Sequence, residues 1–224
     1  MNPGPLSAPP ANFVRRHVEV TGFDQPLFRS HSIHRNPIYY GTTGRFRFDA
    51  PDGSYGVLYA GVDPYGAFIE SLLKNPDNPV ITTSELRARV LAQLKASQPL
   101  RLIDLCPSGA LVRIGADSRL FSADRNVAQL WSRAFHDHPI CADGILYPSR
   151  LDPARHGVAL FGDRKLRLFE LDRQSWYAPG PQRELFGRIA EHYKIELIEN
   201  RLIAPRKPIG GIGKPGLLYD PGEL

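Results

Sequence analysis

The stretch VLYAGVDPYGAFIESL, Val57 to Leu72, limits the fold more than any other part of this chain. It starts as an apolar strand, breaks at Asp63-Pro64 and continues at once with helical spacing. The fixed φ of Pro64 suits the first turn of a helix. A strand is thus joined to a helix with almost no linker. The helix turns Phe68, Ile69 and Leu72 towards a core, yet Glu70 stands among them. Such a carboxylate is either a solvated helix residue or a group aimed into a cleft.

The rest of the chain sets that unit in a mixed context. Short strands are expected at Pro26–Arg29, Gly56–Ala60, Leu100–Leu105, Gly144–Tyr147, Gly157–Phe161 and Leu166–Leu171, with a further one at Leu111–Ile114. A helix is expected over Pro64–Lys74. A second follows Thr83, where SELRARVLAQLKAS places Leu86, Val90, Leu91 and Leu94 at helical spacing. A third spans Ala123–His136, with Val127, Leu130, Trp131 and Ala134 on one face, and a last one runs from Gln182 to Tyr193. Several strands follow one another without helices between them. The class is therefore α+β, not a regular doubly wound sheet.

The 224 residues suffice for one domain with a full core. Residues 1–22 read as a flexible, proline-rich leader and entry, 23–200 as the folded domain, and 201–224 as a Pro/Gly-rich tail. No apolar run approaches the roughly 18 residues of a membrane span. The start lacks a basic segment followed by an apolar core, so no secretory signal is read and a cytoplasmic location is expected. Two cysteines, Cys106 and Cys141, make no disulfide framework. The net charge of +5 comes from scattered arginines without a basic run, which suits an anionic small molecule better than a nucleic acid.

Three motifs carry little chemistry. GGIGKPG near the C-terminus has Pro215 where a phosphate loop needs Ser or Thr. His136-Asp137-His138 has no further ligands to complete a metal site, so no metal is expected. Ser30 to His34 offers hydroxyls and imidazoles but no acid that would make a hydrolytic triad.

A different set is more informative. Arg29 ends the strand PLFR, Arg45 follows the glycine turn of TTGRFRF, Tyr59 lies on VLYAG, and Ser149 leaves a strand in DGILYPSR. With Glu70 they supply two cations, an aromatic, a carboxylate and a hydroxyl, mostly at strand ends. Arginines hold phosphate through paired donors, tyrosine stacks on a flat ring, and a carboxylate stabilises an oxocarbenium-like charge. The set suits cleavage of a glycosidic bond in a dinucleotide.

The order FR, GRF, LYAG with a following helix glutamate, then YPSR resembles the RES domain over about Pro26 to Phe161. The resemblance implies an ADP-ribosyltransferase-like fold, with mixed sheets and flanking helices. It implies a bacterial toxin that degrades NAD by hydrolysis or phosphorolysis, or ADP-ribosylates a protein, under control of an Xre-like antitoxin. NAD is then substrate, inorganic phosphate a candidate acceptor, and no metal is required. Carried over residue by residue, Arg29, Arg45, Tyr59, Glu70 and Ser149 match the family's site, with Ser122 as a second candidate for the serine. Arg29, Arg45 and Tyr59 would bind NAD. Arg29, Tyr59, Glu70 and Ser149 would serve the reaction, and Glu70 would sit at the cleft edge. Many members have GRWN or GRFN, whereas Arg47 follows Phe46 here. The segment after Phe161 is an extra or divergent part that could cover the cleft. A basic nucleic-acid-binding module without catalysis is the lesser alternative.

Overall fold

A computed structural model describes residues 4–199. In chain order the elements are β1 (Val20–Phe23), β2 (Leu27–Ser32), β3 (Val57–Gly61), α1 (Pro64–Leu72), β4 (Val80–Thr82) and α2 (Thr83–Arg87). Next come β5 (Arg89–Ala96), β6 (Leu100–Asp104), α3 (Ala110–Ile114) and α4 (Arg125–His136). The last are β7 (Gly144–Pro148), β8 (His156–Phe161), β9 (Leu168–Ser175), α5 (Pro181–His192) and β10 (Glu196–Ile198). Eight strands form one sheet in the order β1-β6-β7-β8-β3-β2-β5-β9, parallel only between β6 and β7. β10 and β4 make a separate parallel pair. The α+β class follows from this arrangement.

Strand alternation assigns the two faces. On β3, Val57 enters a cluster with Phe48, Trp131, Phe135 and Phe161, whereas Leu58 and Ala60 enter one with Leu94, Leu102 and Leu160 on the other face. A third cluster, around Phe68, Ile69, Trp176 and Phe186, lies where α1 and α5 pack. β2 and β3 share one residue pair, Phe28 opposite Gly61, among the described residues. The sheet is thus nearly split there, and α1 packs across the split against β2, β3, β5 and β8.

α1 forms as its sequence suggests. Pro64 occupies the first turn and Asp63 accepts from the Gly66 amide at 3.0 Å. Gly61 is required beside it: a Cβ there would come within 2.7 Å of the Ala67 nitrogen. Phe68, Ile69 and Leu72 are buried, and Glu70 is exposed.

Four expectations need correction. The helix expected after Thr83 ends at Arg87, and Arg89–Ala96 is strand β5. A capping box between Thr82 and Glu85 starts the short helix correctly. β5 then lies between β2 and β9, where Val90, Leu91, Ala92 and Leu94 are all buried. Burial on both faces hides the alternation and leaves a spacing that imitates a helix. Leu111–Ile114 belongs to α3, bracketed by Gly109 and Gly115 with left-handed φ of 77° and 84°. α4 starts at Arg125 and buries Ala128, Trp131, Ser132 and Phe135, with Leu130 45% exposed. The buried stripe is therefore rotated from the expected one. The segment after Phe161 is integral: β9 extends the sheet, and Phe186 and Ile189 of α5 enter the third cluster.

The proline-rich start is also packed. Leu6 is buried, and the Ser7 carbonyl accepts from Trp131 Nε1 at 2.9 Å. Residues 201–224, with the GGIGKPG motif, lie outside the described residues. No described helix is long and apolar enough to cross a membrane.

Candidate active site

Glu70 and Ser149 meet. The Ser149 hydroxyl donates to Glu70 Oε1, joining α1 to the end of β7. Ser149 is buried, and its Oγ also accepts from the amides of Leu151 at 3.1 Å and Asp152 at 3.4 Å. The serine thus fixes the loop after β7 while it presents a proton to the carboxylate.

Tyr59 and Tyr147 share the α4 side of the sheet, on β3 and β7, the two strands that flank β8. Tyr147 lies opposite Gly157 on β8, where a Cβ would come within 2.6 Å of the tyrosine ring. Glycine therefore leaves room for that ring. Tyr59 Oη donates to Asp49 Oδ1 and accepts from the Phe48 amide, both at 2.9 Å. Burial and then the Asp49 carboxylate raise the Tyr59 pKa well above its ordinary value. Burial and then Glu70 push Tyr147 up as well. Both hydroxyls stay protonated at neutral pH, and the Tyr59 proton is committed to Asp49.

The turn expected to deliver Arg45 has no strand after it: Gly44 to Ala50 is irregular, with Gly44 at φ +65°. Gln129 Nε2 of α4 donates to the carbonyls of Gly44 and Phe46, each at 2.9 Å, and Asp49 Oδ2 accepts from the Phe46 amide. In this turn Arg45 is exposed. Arg47 is the arginine that turns inward. Its Nη1 donates to the carbonyls of Ala123 at 2.9 Å and Leu120 at 3.3 Å. It lies within electrostatic reach of Arg150, Tyr147, Glu70 and Tyr59, and burial followed by Arg150 lowers its pKa. Phe46 sets its ring 5.3 Å from Tyr59.

Arg29 is placed elsewhere. Its neighbours Phe28 and Ser30 face the third cluster, where Ser30 Oγ accepts from Trp176 Nε1 at 2.9 Å. Arg29 alternates to the opposite face, with Leu27. Its Nη1 donates to the Pro37 and Tyr39 carbonyls at 2.9 Å, and burial holds its pKa down to about 10. The structure brings Glu70 and Ser149 together, bonds Tyr59 to Asp49 and the Phe48 amide, leaves Arg45 exposed, and ties Arg29 to a loop.

A cavity of about 510 Å³ opens beside the Glu70–Ser149 pair. Ser149 and Ser122 both line it, with Cys106, Phe121, Pro148 and Arg150. The two serine candidates therefore share one cleft. Burial and the nearby Asp104 hold the Cys106 thiol up at about 12, so it is not a nucleophile at neutral pH. His136 is bonded to Asp137 at 2.6 Å and Asp163 at 2.9 Å, while His138 pairs with the Arg16 carbonyl; the two imidazoles do not converge.

Arg47 and Tyr147 escaped the sequence reading. Arg47 stands two positions beyond the arginine of the GRF turn, in an irregular segment where strand periodicity gives no signal. Tyr147 precedes the YPSR serine by two residues, near the end of β7.

Three comparisons bear on this geometry. The chain is 32% identical over 122 residues to "Probable toxin y4kH" of Sinorhizobium fredii, covering 53% of this chain and 90% of that protein. A chain in the crystal structure of the M. tuberculosis MbcT–MbcA toxin–antitoxin complex shares the fold, with a TM-score of 0.61 at 16% identity, covering 80% of this chain and 98% of that one. Residues 26–185 match the RES domain, from the first residue before β2 into α5. With a match over that span and these residues gathered at one cleft, the chain belongs to the RES domain family.

Proposed function

We propose that this chain is an NAD-cleaving enzyme acting as a toxin. The observation that carries the reading is the Glu70–Ser149 contact, made by a serine that lines the cavity, with Arg47 within electrostatic reach of Glu70. As the bond between nicotinamide and ribose breaks, nicotinamide leaves with the electron pair and positive charge develops on the ribose. The Glu70 carboxylate faces that charge, while Ser149 fixes the carboxylate and offers a contact to a ribose oxygen. The Phe46–Tyr59 pair provides a surface for the flat nicotinamide ring. Arg45, exposed on the turn, is free to meet the pyrophosphate. Either water attacks the ribose carbon and releases one proton to solvent, or a phosphate oxyanion attacks it and forms the ester directly.

A protein ADP-ribosyltransferase is the second reading, favoured by the exposure of Glu70, which leaves the reacting centre open to a large acceptor. A partner that blocks the cleft follows by analogy with MbcT–MbcA, a toxin–antitoxin complex of the same fold. An Xre-like antitoxin is the proposed partner here.

The test is nicotinamide release from NAD by the purified chain, with and without inorganic phosphate, beside Glu70→Gln. Release by the wild type that is lost in the variant supports the reading. Adenine label found on protein moves it to transfer. No release in any condition, from folded and partner-free chain, overturns it.

A further inference from the structure

Residues 149–155 connect β7 to β8, and Ser149, Arg150 and Pro153 of this loop line the cavity. The loop is closed on itself around Ser149. The Ser149 amide donates to the Arg155 carbonyl at 2.7 Å, and the Arg155 amide donates to the Asp152 carbonyl at 2.8 Å. Ser149 Oγ accepts from the Leu151 and Asp152 amides while it donates to Glu70. Asp152 Oδ1 accepts from the Ala154 amide at 3.0 Å. A shift of Asp152 therefore reaches Ser149 twice, through its own amide and through Arg155.

Two polar contacts tie the closed loop to helices. Tyr193, the residue that ends α5, donates its phenolic proton to Asp152 Oδ2 at 2.7 Å. Arg155 Nη1 lies 3.6 Å from Asp63 Oδ2, the N-cap of α1, and its guanidinium group covers the Tyr65 ring at 4.7 Å. The first contact is a part-buried hydrogen bond to a charged acceptor, the stronger kind. The second is a longer ion pair, which water screens. The Tyr193 ring is packed on the third cluster, as is Leu151 of the loop, so the ring is fixed apart from its hydroxyl. Tyr193 lies beyond residues 26–185, which match the RES domain. Neither Tyr193 nor Asp152 lines the cavity.

We infer that Tyr193 is a positioning residue: through Asp152 it holds the β7–β8 loop so that Ser149 stays on Glu70. The inference rests on the proposed function, in which Glu70 faces the charge that develops on the ribose. A carboxylate let out of register stabilises that charge less. The part of the chain after the RES match thus supports the reacting centre from behind the cavity wall.

Tyr193→Phe keeps the ring and removes the hydroxyl, and two measurements on the full chain test it. Hydrogen exchange at the Leu151 and Asp152 amides is expected to quicken by about 10-fold, the equivalent of one lost hydrogen bond. The kcat for nicotinamide release is expected to fall by about 10-fold with KM within about twofold, because Glu70 meets the charge only in the transition state. Ile189→Val, a buried truncation in the same helix, controls for lost stability. It is expected to lower the Tm while kcat and both amides stay within about twofold of wild type. In an Asp152→Ala background, which lacks the acceptor, adding Tyr193→Phe is expected to change kcat by less than about twofold. A full-rate Tyr193→Phe enzyme, unchanged exchange at the two amides, or an equal loss of kcat in Ile189→Val overturns the inference. A wild type that releases no nicotinamide overturns the proposed reaction instead, and the exchange rates then still decide whether Tyr193 holds the loop.

Discussion

The Ser149 hydroxyl donates to the Glu70 carboxylate, so the end of β7 and the middle of α1 meet at one hydrogen bond. The two residues are 79 apart in sequence, and one is buried while the other is exposed. The serine holds the carboxylate from the protein side, and its other face is open to a ligand.

Glu70→Gln removes the charge and retains the shape. Because Glu70 is exposed, thermal stability is expected to stay within about 0.5 kcal/mol of wild type. Nicotinamide release is expected to fall by about 100-fold or more, the scale of losing one electrostatic stabiliser. Chromatographic assay of free nicotinamide gives the answer, and a full-rate variant would remove Glu70 from the reaction.

The two candidate serines differ in what they hold. Ser149→Ala deprives the Leu151 amide of its acceptor and is expected to cost about 1–3 kcal/mol. Ser122 is exposed, and its replacement by Ala is expected to shift stability by no more than about 0.5 kcal/mol. Urea unfolding of both variants separates them; equal midpoints would mean that the Ser149 hydrogen bonds do not fix the loop.

Gly157→Ala drives a methyl group into the Tyr147 ring. The expected cost is about 1–3 kcal/mol, with lower activity as the ring is displaced. In a Tyr147→Ala background the same change is expected to be nearly neutral, because the clash is gone. A double-mutant cycle measures this coupling, and additive losses would show that Tyr147 does not depend on the glycine.

Alkaline pH weakens the fold in this picture. Burial raises the pKa values of Tyr40, Tyr59 and Tyr147, and raises Tyr55 and Tyr193 to about 12. Below pH 10 these groups are protonated in both states, and their contribution is fully present. Above pH 10 the unfolded chain loses protons that the folded chain keeps, so stability falls towards the folded values at about 12 and beyond. Arg29, held down to about 10, acts in the opposite sense as one group against several. Thermal melts between pH 9 and pH 11.5 are expected to show a falling Tm from about pH 10; a flat profile would contradict the burial of these hydroxyls.

The part of the site that could be read from the sequence lay on a strong local signal. Asp63-Pro64 announces α1 and thereby places Glu70, and the YPSR exit from β7 places Ser149. Arg47 was obscured because the turn that carries it is shaped by distant groups, the Gln129 amide and the Asp49 carboxylate, which no local pattern reveals. The placement of Arg29 was hidden for a related reason. Its strand was recognised, but the face it points to is set by Trp176, 147 residues later, which claims the Phe28 and Ser30 side. β5 shows the same limit at the level of the fold, since β9, which covers one of its edges, is contributed by the far end of the domain.

The meeting of β2 and β3 has a mechanical consequence. A full ladder resists shear through many hydrogen bonds, but Phe28 and Gly61 are the one paired position here among the described residues. Stiffness along that line is supplied by α1 lying across it like a splint, and its fit depends on the missing side chain of Gly61. The same helix carries Glu70. Whatever keeps the two halves of the sheet in one plane therefore also keeps the carboxylate in register with Ser149.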